Sequence, residues 1–431
     1  MSKRPLLAVV YDFGAAGPAE IAVAARACSV DLVFVVDRSS KHVSMVLRAL
    51  PRWGQVCDIT GLSPAAAVSA LAAFRPYGLL TFSEMLLEMA AVLADGCGIR
   101  SWHSLGTTHL LIDKFAQRGA LSASGVDPVR HAIIQRPSDV PAAVDRVGLP
   151  AVLKPCRGSG ARYVYAVPSL REGMLAAADY FSSRSAPDPM LLEEFLPGDP
   201  GIAGPRWGDY VSVESFAHGG EVHTICVTGK FPLVPPFREG GYFLPSTLSP
   251  EMSSQAVAVA ESAMRALGVE NGMVHTELKL TQAGPRIVEM NGRVGGHVAD
   301  VLRRSSGYDI VKSALLLAVG QGNQTPQPEM SRVSYQRVLH SPCAATGIIS
   351  IDGLDKVRAL AGVDVIDIRA TAGQHLDWRT GALGMLGKVY GQVADHGALA
   401  DVIDGIESAL HITYSYRRDE AWSAERVRNI A

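Results

Sequence analysis

Acidic, amide and guanidinium side chains recur at short spacing in residues 275–293, where two apolar runs flank a Gln-Ala-Gly-Pro break. This pattern predicts two strands joined by a turn. Because side chains alternate faces along a strand, Glu289, Asn291 and Arg293 should share a face, and Glu277 should meet them from the partner strand. Carboxylate and amide oxygens suit Mg²⁺, which commonly shares its shell with nucleotide phosphates. With the arginine placed to hold a phosphoryl group, the stretch predicts ATP chemistry without a P-loop. The alternative is a half-buried hairpin whose charges are merely solvated.

Two lysines lie upstream of this hairpin. Lys154 ends a predicted strand and precedes a small-residue loop that contains Ser159 and Gly160. Glycines let backbone N–H groups approach phosphate oxygens, and the ammonium adds a point charge. Lys114 stands about forty residues earlier, near a predicted helix start. These features favour a phosphate-binding loop, with an ordinary hairpin turn and a solvated lysine as the alternative.

A third feature is an apolar strand that ends in the acids Glu193 and Glu194 and continues as Phe195 and Leu196. An extended segment of this kind can bind adenine through its own backbone N–H and C=O groups. One of its acids would then remain for a ribose hydroxyl.

The elements that must position these residues are predicted from apolar patterning. Short β-type runs alternate with Ala-rich helical stretches in the first 82 residues, which indicates a parallel sheet. The Gly14–Gly17 loop has half of a dinucleotide fingerprint, and we interpret it as a tight turn. A polar Gln/Pro/Gly stretch at 320–328 is predicted to be a linker. Strand signals near 347–351 and 363–369 and a helix at 399–410 predict an α+β unit at the C-terminal end.

Composition excludes several function classes. The 431 residues are 48% hydrophobic and carry a formal charge of −2, which disfavours nucleic-acid binding. No apolar stretch approaches the roughly 18 residues that a membrane span requires. The six cysteines include no C-x-x-C pair, which is typical of reduced thiols in a cytoplasmic protein. The N-terminal apolar run meets Asp12 almost at once and is predicted to be a first strand rather than a signal peptide.

Taken in order, the two lysines, the glycine loop, the acidic hinge and the acid/acid-x-Asn hairpin resemble the ATP-grasp superfamily across residues 113–296. The amino-acid sequence of residues 275–296 is similar to the sequences of the L-amino acid ligase branch of this superfamily. That branch includes bacterial dipeptide ligases of the bacilysin-synthetase type. The resemblance implies a multidomain α/β and α+β protein with an ATP-grasp fold, a Rossmann-like parallel-sheet domain before it and a small α+β domain after it. The predicted bounds are 1–112 for the N-terminal domain, 113–208 and 209–328 for the two ATP-grasp subdomains, and 329–431 for the C-terminal domain.

The resemblance also assigns site residues. It implies phosphate contacts for Lys114, Lys154, Ser159 and Gly160, and adenine contacts for Glu193, Phe195 and Leu196. For the ribose it leaves two candidates, Asp209 and Glu194. It implies metal ligation by Glu277, Glu289 and Asn291, and stabilisation of an acyl phosphate by Arg293. The predicted substrate residues are Glu84, His275, Gly295, Gly296 and His297. For Glu84, His275 and His297, the alternative is a structural or merely exposed residue.

The activity implied is an ATP-dependent carboxylate–amine ligase. ATP would phosphorylate a carboxylate, an amine would attack the acyl phosphate, and ADP and phosphate would leave, with two Mg²⁺ ions (or Mn²⁺ in their place) as cofactors. The implied partners are amino-acid or amine substrates, with neither nucleic acid nor membrane, and a homodimer is the oligomer expected from the branch. Two alternatives remain: another ATP-grasp ligase of the carboxylase or purine-pathway type, and a non-catalytic ATP-binding module.

Overall fold

The computed structural model describes residues 4–183, 187–322 and 327–416. Its first unit is a parallel four-stranded sheet with strand order β3-β2-β1-β4, which confirms the predicted parallel-sheet domain. Glu84 follows the carboxyl end of the edge strand β4, where open α/β sheets commonly bind ligands. The elements are β1 (Leu6–Val10), α1 (Pro18–Ala27), β2 (Asp31–Val36), α2 (Lys41–Val46), β3 (Gln55–Asp58), α3 (Pro64–Ala72), β4 (Gly78–Thr81), α4 (Leu87–Cys97) and α5 (Leu105–Ile112).

The second unit is a four-stranded antiparallel sheet with order β5-β8-β6-β7. Two helices pack against it over a core that includes Leu153, Tyr180 and Leu192. Strand β8 lies between two neighbours, so both edges of its backbone are hydrogen-bonded. The elements are α6 (Lys114–Ala123), β5 (His131–Ile134), α7 (Val140–Val147), β6 (Ala151–Pro155), β7 (Tyr165–Val167), α8 (Leu170–Ser182) and β8 (Met190–Glu194).

The rest of the described chain is built around an eight-stranded sheet with order β13-β12-β9-β10-β11-β14-β17-β16. Strand β11 pairs with β14, so the sheet continues across residue 329 and takes three strands from the C-terminal part. A separate two-stranded sheet joins β15 and β18. The elements are α9 (Pro200–Ala203), β9 (Tyr210–His218), β10 (Glu221–Lys230), β11 (Gly241–Leu244), α10 (Pro250–Ala266), β12 (Gly272–Thr281), β13 (Gly284–Asn291), α11 (Val298–Ser306), α12 (Ile310–Ala318), β14 (Val333–Leu339), β15 (Ala345–Asp352), α13 (Leu354–Arg358), β16 (Val365–Ile368), β17 (Gly387–Val393), α14 (His396–Ala409) and β18 (His411–Tyr416).

The predicted hairpin is formed by β12 and β13. Glu277 lies opposite Glu289, and His275 lies opposite Asn291. The register shifts immediately after Glu277, which places one extra residue, Val288, on β13. A bulge of this kind bends a strand and re-aims its side chains.

Two expectations bear on the chain as a whole. Of the predicted linker at 320–328, residues 323–326 lie outside the described residues. None of the helices in the described ranges is long and apolar enough to cross a membrane.

Candidate active site

Charged groups from three elements meet at the end of β13. The Nε atom of Arg293 lies 2.8 Å from Oε2 of Glu84. With its amide nitrogen facing the acids, Asn291 donates to Glu84 and to Glu289, each at 2.9 Å. Lys114 Nζ lies 3.2 Å from Oε1 of Glu289. Two carboxylates, an amide, an ammonium and a guanidinium therefore share one small volume, although they lie more than two hundred residues apart at the extremes.

Buried polar contacts fix these elements to one another. On α6, Gln117 exchanges two hydrogen bonds with the backbone of Met290, each 2.9 Å long. His103 bonds the carbonyl of Gly292 at 3.0 Å, and burial lowers the pKa of this histidine to about 4. The ring is thus neutral and its Nε2–H donates to the turn that precedes Arg293. The helix start that carries Lys114 and the turn that carries Arg293 are both held against β13.

The electrostatics of the cluster follow from burial and mutual charge. Burial raises the pKa of Glu84, and Arg293 opposes that effect only in part. Burial alone would lower the pKa values of Lys114 and Arg293, but the surrounding carboxylates outweigh it and raise both. Both cations therefore keep their charge at neutral pH.

On the other strand, Glu277 is flanked by two cations: His275, which was predicted from the sequence as a substrate residue, and Lys230, which was not identified as a site residue. Lys230 Nζ, whose side chain is fully buried, lies 3.9 Å from Glu277 and 2.6 Å from Glu239. His275 Nε2 lies 3.2 Å from Glu277, while its Nδ1 lies 2.5 Å from Glu214. Burial alone would raise the pKa of Glu277, but Lys230 and His275 lower it to about 2. Lys230 is the last residue of β10, a strand of mixed polar and apolar residues, and no local motif marked it in the sequence.

Lys154 reaches the same region through a buried ion triad. Its Nζ lies 2.6 Å from Glu193, whose second oxygen lies 2.7 Å from Nε of Arg118. Arg118 also donates to the carbonyls of Ile287 and Val288, at 2.7 and 3.0 Å. The Glu193 carboxylate, predicted to lie in the adenine hinge, is thus the counter-ion of Lys154, which was predicted to contact phosphate. Arg118 was not identified from the sequence.

The glycine loop lies beside Lys114. Lys114 donates from its Nζ to the Gly158 carbonyl at 2.7 Å and from its backbone N–H to the Cys156 carbonyl at 2.9 Å. Gly158 and Gly160 have φ values of 120° and 71°, a region that favours glycine. The Gly160 carbonyl, next to Ser159, accepts from Ala382 at 2.7 Å. The C-terminal part of the chain therefore holds the predicted phosphate loop from outside.

Part of the backbone of the predicted adenine hinge is already hydrogen-bonded to neighbouring residues of the protein. The N–H groups of Glu194 and Phe195 donate to the carbonyls of Arg130 and Pro150, at 3.0 and 3.1 Å, and Leu196 follows directly. The Glu194 carboxylate lies 2.7 Å from Arg130.

The other ribose candidate, Asp209, lies 2.7 Å from Lys279. Both ribose candidates are therefore ion-paired, and a ribose hydroxyl would have to share either carboxylate with its cation.

The predicted substrate residues other than Glu84 divide into two groups. His275 is 2% exposed, and a Cβ added to Gly295 would lie 2.5 Å from its Nδ1. The His275 ring contacts both Glu214 and Glu277, and the Gly295 N–H donates to Glu214. A Cβ on Gly296 would meet nothing within 4 Å, and His297 lines a cleft of about 520 Å³. Gly296 thus borders open space, and His297 borders the cleft.

The donor set is suited to magnesium bound together with phosphates. The described ranges contain no group of three or more His, Cys, Asp or Glu side chains arranged to hold a metal ion. Mg²⁺ is usually held by one or two carboxylates, water and substrate phosphates, so such a group is not required. Glu289, Asn291 and Glu277 offer oxygen ligands of that kind. Glu289 already attracts a cation, because the Lys114 ammonium lies 3.2 Å from its carboxylate.

Residues 147–300 match the ATP-grasp domain family. The chain is 29% identical over 257 residues to an uncharacterised protein of Sinorhizobium fredii, covering 58% of this chain and 50% of that protein. It is 25% identical over 276 residues to the alanine–anticapsin ligase of Bacillus subtilis, covering 61% and 58%. The matches therefore span about half the length of these curated relatives. A crystal structure of an L-amino acid ligase from Bacillus licheniformis has the same fold, with a TM-score of 0.78, 19% identity and coverage of 96% of this chain and 100% of that one. The fold and the resemblance predicted from the motifs are confirmed.

Proposed function

We propose that this chain, whose residues 147–300 match the ATP-grasp domain family, is an ATP-dependent ligase that joins the carboxylate of an amino acid to an amine, with ADP and phosphate as products. The observation that carries this proposal is the convergence of Glu84, Lys114, Glu289, Asn291 and Arg293 within hydrogen-bonding distances. An ATP-binding module without chemistry has no need of a guanidinium beside the metal-ligand positions.

ATP binding is assigned to the lysines and the glycine loop. Lys114 and Lys154 supply positive charge at the hairpin, and backbone N–H groups around Gly158–Gly160 suit phosphate oxygens. Glu193 fixes the direction of the Lys154 ammonium, because both groups are buried and lie 2.6 Å apart. The two lysines thus approach the triphosphate from two different elements.

Glu277, Glu289 and Asn291 are the groups that would hold Mg²⁺. The bound ion would neutralise phosphate charge and orient the transferring phosphoryl group. Lys230 and His275 keep Glu277 ionised, since together they lower its pKa to about 2. An ionised carboxylate at neutral pH is the form that binds a divalent cation.

Arg293 is assigned to the reacting carboxylate. Its guanidinium keeps its charge and is aimed by Glu84 at 2.8 Å, so it can stabilise the negative charge that develops as the phosphoryl group is transferred and as the amine attacks. The amine forms the new C–N bond, phosphate leaves with the C–O bond pair, and the amine proton passes to solvent or phosphate. No side-chain nucleophile is needed. Six free cysteines support a reducing, cytoplasmic setting for this reaction.

The experiment that tests the proposal is phosphate release from Mg-ATP against single and paired amino acids, with ADP and AMP resolved in the same run. ADP and phosphate that appear only with particular amino acids are the expected result. AMP and pyrophosphate would overturn the acyl-phosphate route. ATP binding without turnover for any amino-acid pair would overturn the amino-acid ligase.

A further inference from the structure

The predicted phosphate loop, residues 158–163, has an unusual backbone conformation. Gly158 and Gly160 have positive φ values, and so do Ala161 and Tyr163, at 54° and 52°. Positive φ is unfavourable for a residue with a side chain, because its Cβ comes too close to the following carbonyl oxygen. Such residues persist only where the surrounding structure stabilises them, and they are common at ligand-binding sites. Contacts from elsewhere in the chain are therefore needed to hold the loop in this shape.

Those contacts come from residues 377–382, a turn in the C-terminal part of the chain that we call the clasp. The Ala382 N–H donates to the Gly160 carbonyl at 2.7 Å. The Tyr163 N–H donates to the Arg379 carbonyl at 3.2 Å. The clasp thus bonds the loop on either side of its strained stretch.

Gly381 makes this close approach possible. A Cβ at this position would lie 2.0 Å from the Gly160 carbonyl oxygen and 2.8 Å from the carbonyl carbon of Ala161. Gly381 has a φ of 59° and a ψ of −133°, a conformation that glycine adopts far more readily than other residues. The backbone of the clasp therefore packs directly on the strained part of the loop.

Side chains fasten the clasp to helix α8, which belongs to the same sheet unit as the loop. Arg379 Nη1 lies 2.8 Å from Oδ1 of Asp179, and Arg379 Nε lies 2.9 Å from Asp377. The second oxygen of Asp179 accepts from the Tyr165 hydroxyl at 2.7 Å. The Trp378 ring packs edge-on against the Tyr165 ring, with the centroids 5.5 Å apart. Arg379 and Asp179 lie 200 residues apart in the sequence, so this attachment is a product of the tertiary structure.

We propose that the clasp is a positioning device for ATP, which holds residues 158–163 in the shape in which their N–H groups can donate to the phosphates of a nucleoside triphosphate. This inference rests on the proposed assignment of the ATP phosphates to this loop. Arg379 and Asp179 are its positioning residues. Arg379 acts through the loop, because its carbonyl accepts from Tyr163 while its guanidinium is anchored on Asp179. By reciprocity, bound ATP should stabilise the clasp by the same factor by which the clasp strengthens ATP binding.

The test combines the Kd for Mg-ATP with hydrogen exchange of the full chain. Wild type is compared with Arg379→Met, Asp179→Asn, the double variant and the conservative Arg379→Lys. The matched control is Arg358→Met, which breaks an exposed ion pair with Asp355 on α13, in the same part of the chain. Exchange of the amides in the loop and in the clasp is measured with and without Mg-ATP. ADP formation with amino acids is measured in parallel, with KM and kcat separated.

The side chains of Arg379 and Asp179 are 37% and 34% exposed, so solvent weakens their attraction. We expect each single variant to raise the Kd for Mg-ATP by about fivefold, the upper range for such a pair. The double variant should bind no more weakly than either single variant, because the pair is already broken. Arg379→Lys and the Arg358 control should bind ATP much as wild type does. In turnover, the loss should appear in KM for ATP and leave kcat largely intact.

Hydrogen exchange gives a readout that is independent of activity. The amides of Tyr163 and Ala382 should exchange faster in Arg379→Met and in Asp179→Asn than in wild type. Mg-ATP should slow the exchange of both segments in wild type.

An unchanged Kd for Mg-ATP in Arg379→Met would overturn the clasp, even if the loop amides exchanged faster, because the contact would then be structural only. Equal weakening in Arg379→Met and Arg358→Met would also overturn it, as would losses that add in the double variant. Clasp-dependent ATP binding without ADP formation for any amino-acid pair would support the clasp and overturn the ligase. ADP formation with an unaltered KM for ATP in Arg379→Met would do the opposite.

Discussion

The ion triad of Lys154, Glu193 and Arg118 makes a quantitative prediction for Glu193→Gln. The side chains of the three residues are 7%, 7% and 3% exposed, and the two cations lie 2.6 and 2.7 Å from the carboxylate. The substitution keeps the size of the side chain and removes its charge. It therefore leaves the Lys154 ammonium and the Arg118 guanidinium buried side by side without the carboxylate that they shared. Arg118 keeps a weaker contact with Asp127, at 3.7 Å.

Two routes give the same magnitude. Burial alone would raise the pKa of Glu193, yet Arg118 and Lys154 lower it from 4.5 to about 2. A depression of that size corresponds to roughly 3 kcal/mol in favour of the ionised form in the folded state. Removal of one member of a buried pair costs about 3–5 kcal/mol in other proteins. We expect Glu193→Gln to lower the free energy of unfolding by roughly 3 kcal/mol.

The assay is urea unfolding of wild type, Glu193→Gln and Glu194→Gln. Glu194 is the matched control, because it is the adjacent glutamate and is also ion-paired, but its partner Arg130 is 62% exposed. A surface pair of this kind contributes less than about 1 kcal/mol. Titration of ATP adds a second readout, since Lys154 loses the group that directs it and Glu193→Gln should bind ATP more weakly.

The pH dependence has a definite sign. Since the folded-state pKa of Glu193 is depressed, its contribution is complete above about pH 4.5 and is lost as the pH falls towards about 2. The gap between wild type and Glu193→Gln should close across that window. Equal losses of stability in the two glutamine variants at pH 7, or a gap that does not change with pH, would refute the reasoning.

Three further predictions concern the hairpin, the loop and the C-terminal lysine. Glu289→Gln should reduce Mg-ATP turnover by roughly 10²–10³-fold with the melting temperature preserved, whereas the exposed Glu221→Gln should have no effect, and near-normal activity would remove the metal assignment. Gly381→Ala should raise KM for ATP, because the added Cβ would lie 2.0 Å from the Gly160 carbonyl oxygen. Gly373→Ala, which is also at positive φ but in open space, should leave KM unchanged. Equal KM values in the two variants would show that the segment around Gly381 does not influence the predicted phosphate loop. Burial is the main cause that lowers the pKa of Lys388 from 10.5 to about 8, so Lys388→Met should be more stable than wild type by roughly 3 kcal/mol at pH 7. This advantage should disappear between about pH 8 and pH 10.5, and chemical denaturation that shows a pH-independent difference would contradict it.

The residues of the hairpin could be predicted because the physics that places them is local. Alternation along a strand and pairing across a turn are enough to bring Glu277, Glu289 and Asn291 together. The glycine loop was recognisable for a similar reason, since positive φ values and close backbone approach favour glycine. These local rules also carried the resemblance to the ATP-grasp superfamily.

What only the folded chain decides is which distant group each of these residues meets. Glu193 looked like a hinge acid, but β8 lies between β5 and β6, and this placement turns its carboxylate towards Lys154 on the neighbouring strand. Lys230 and Lys388 carry no local motif, and their burial follows from the packing of an eight-stranded sheet. Whether a charged side chain is solvated, ion-paired or buried without a counter-ion depends on long-range packing that brings distant strands together. Residue type and spacing therefore indicate the chemistry, while the tertiary structure sets the charge environment in which it takes place.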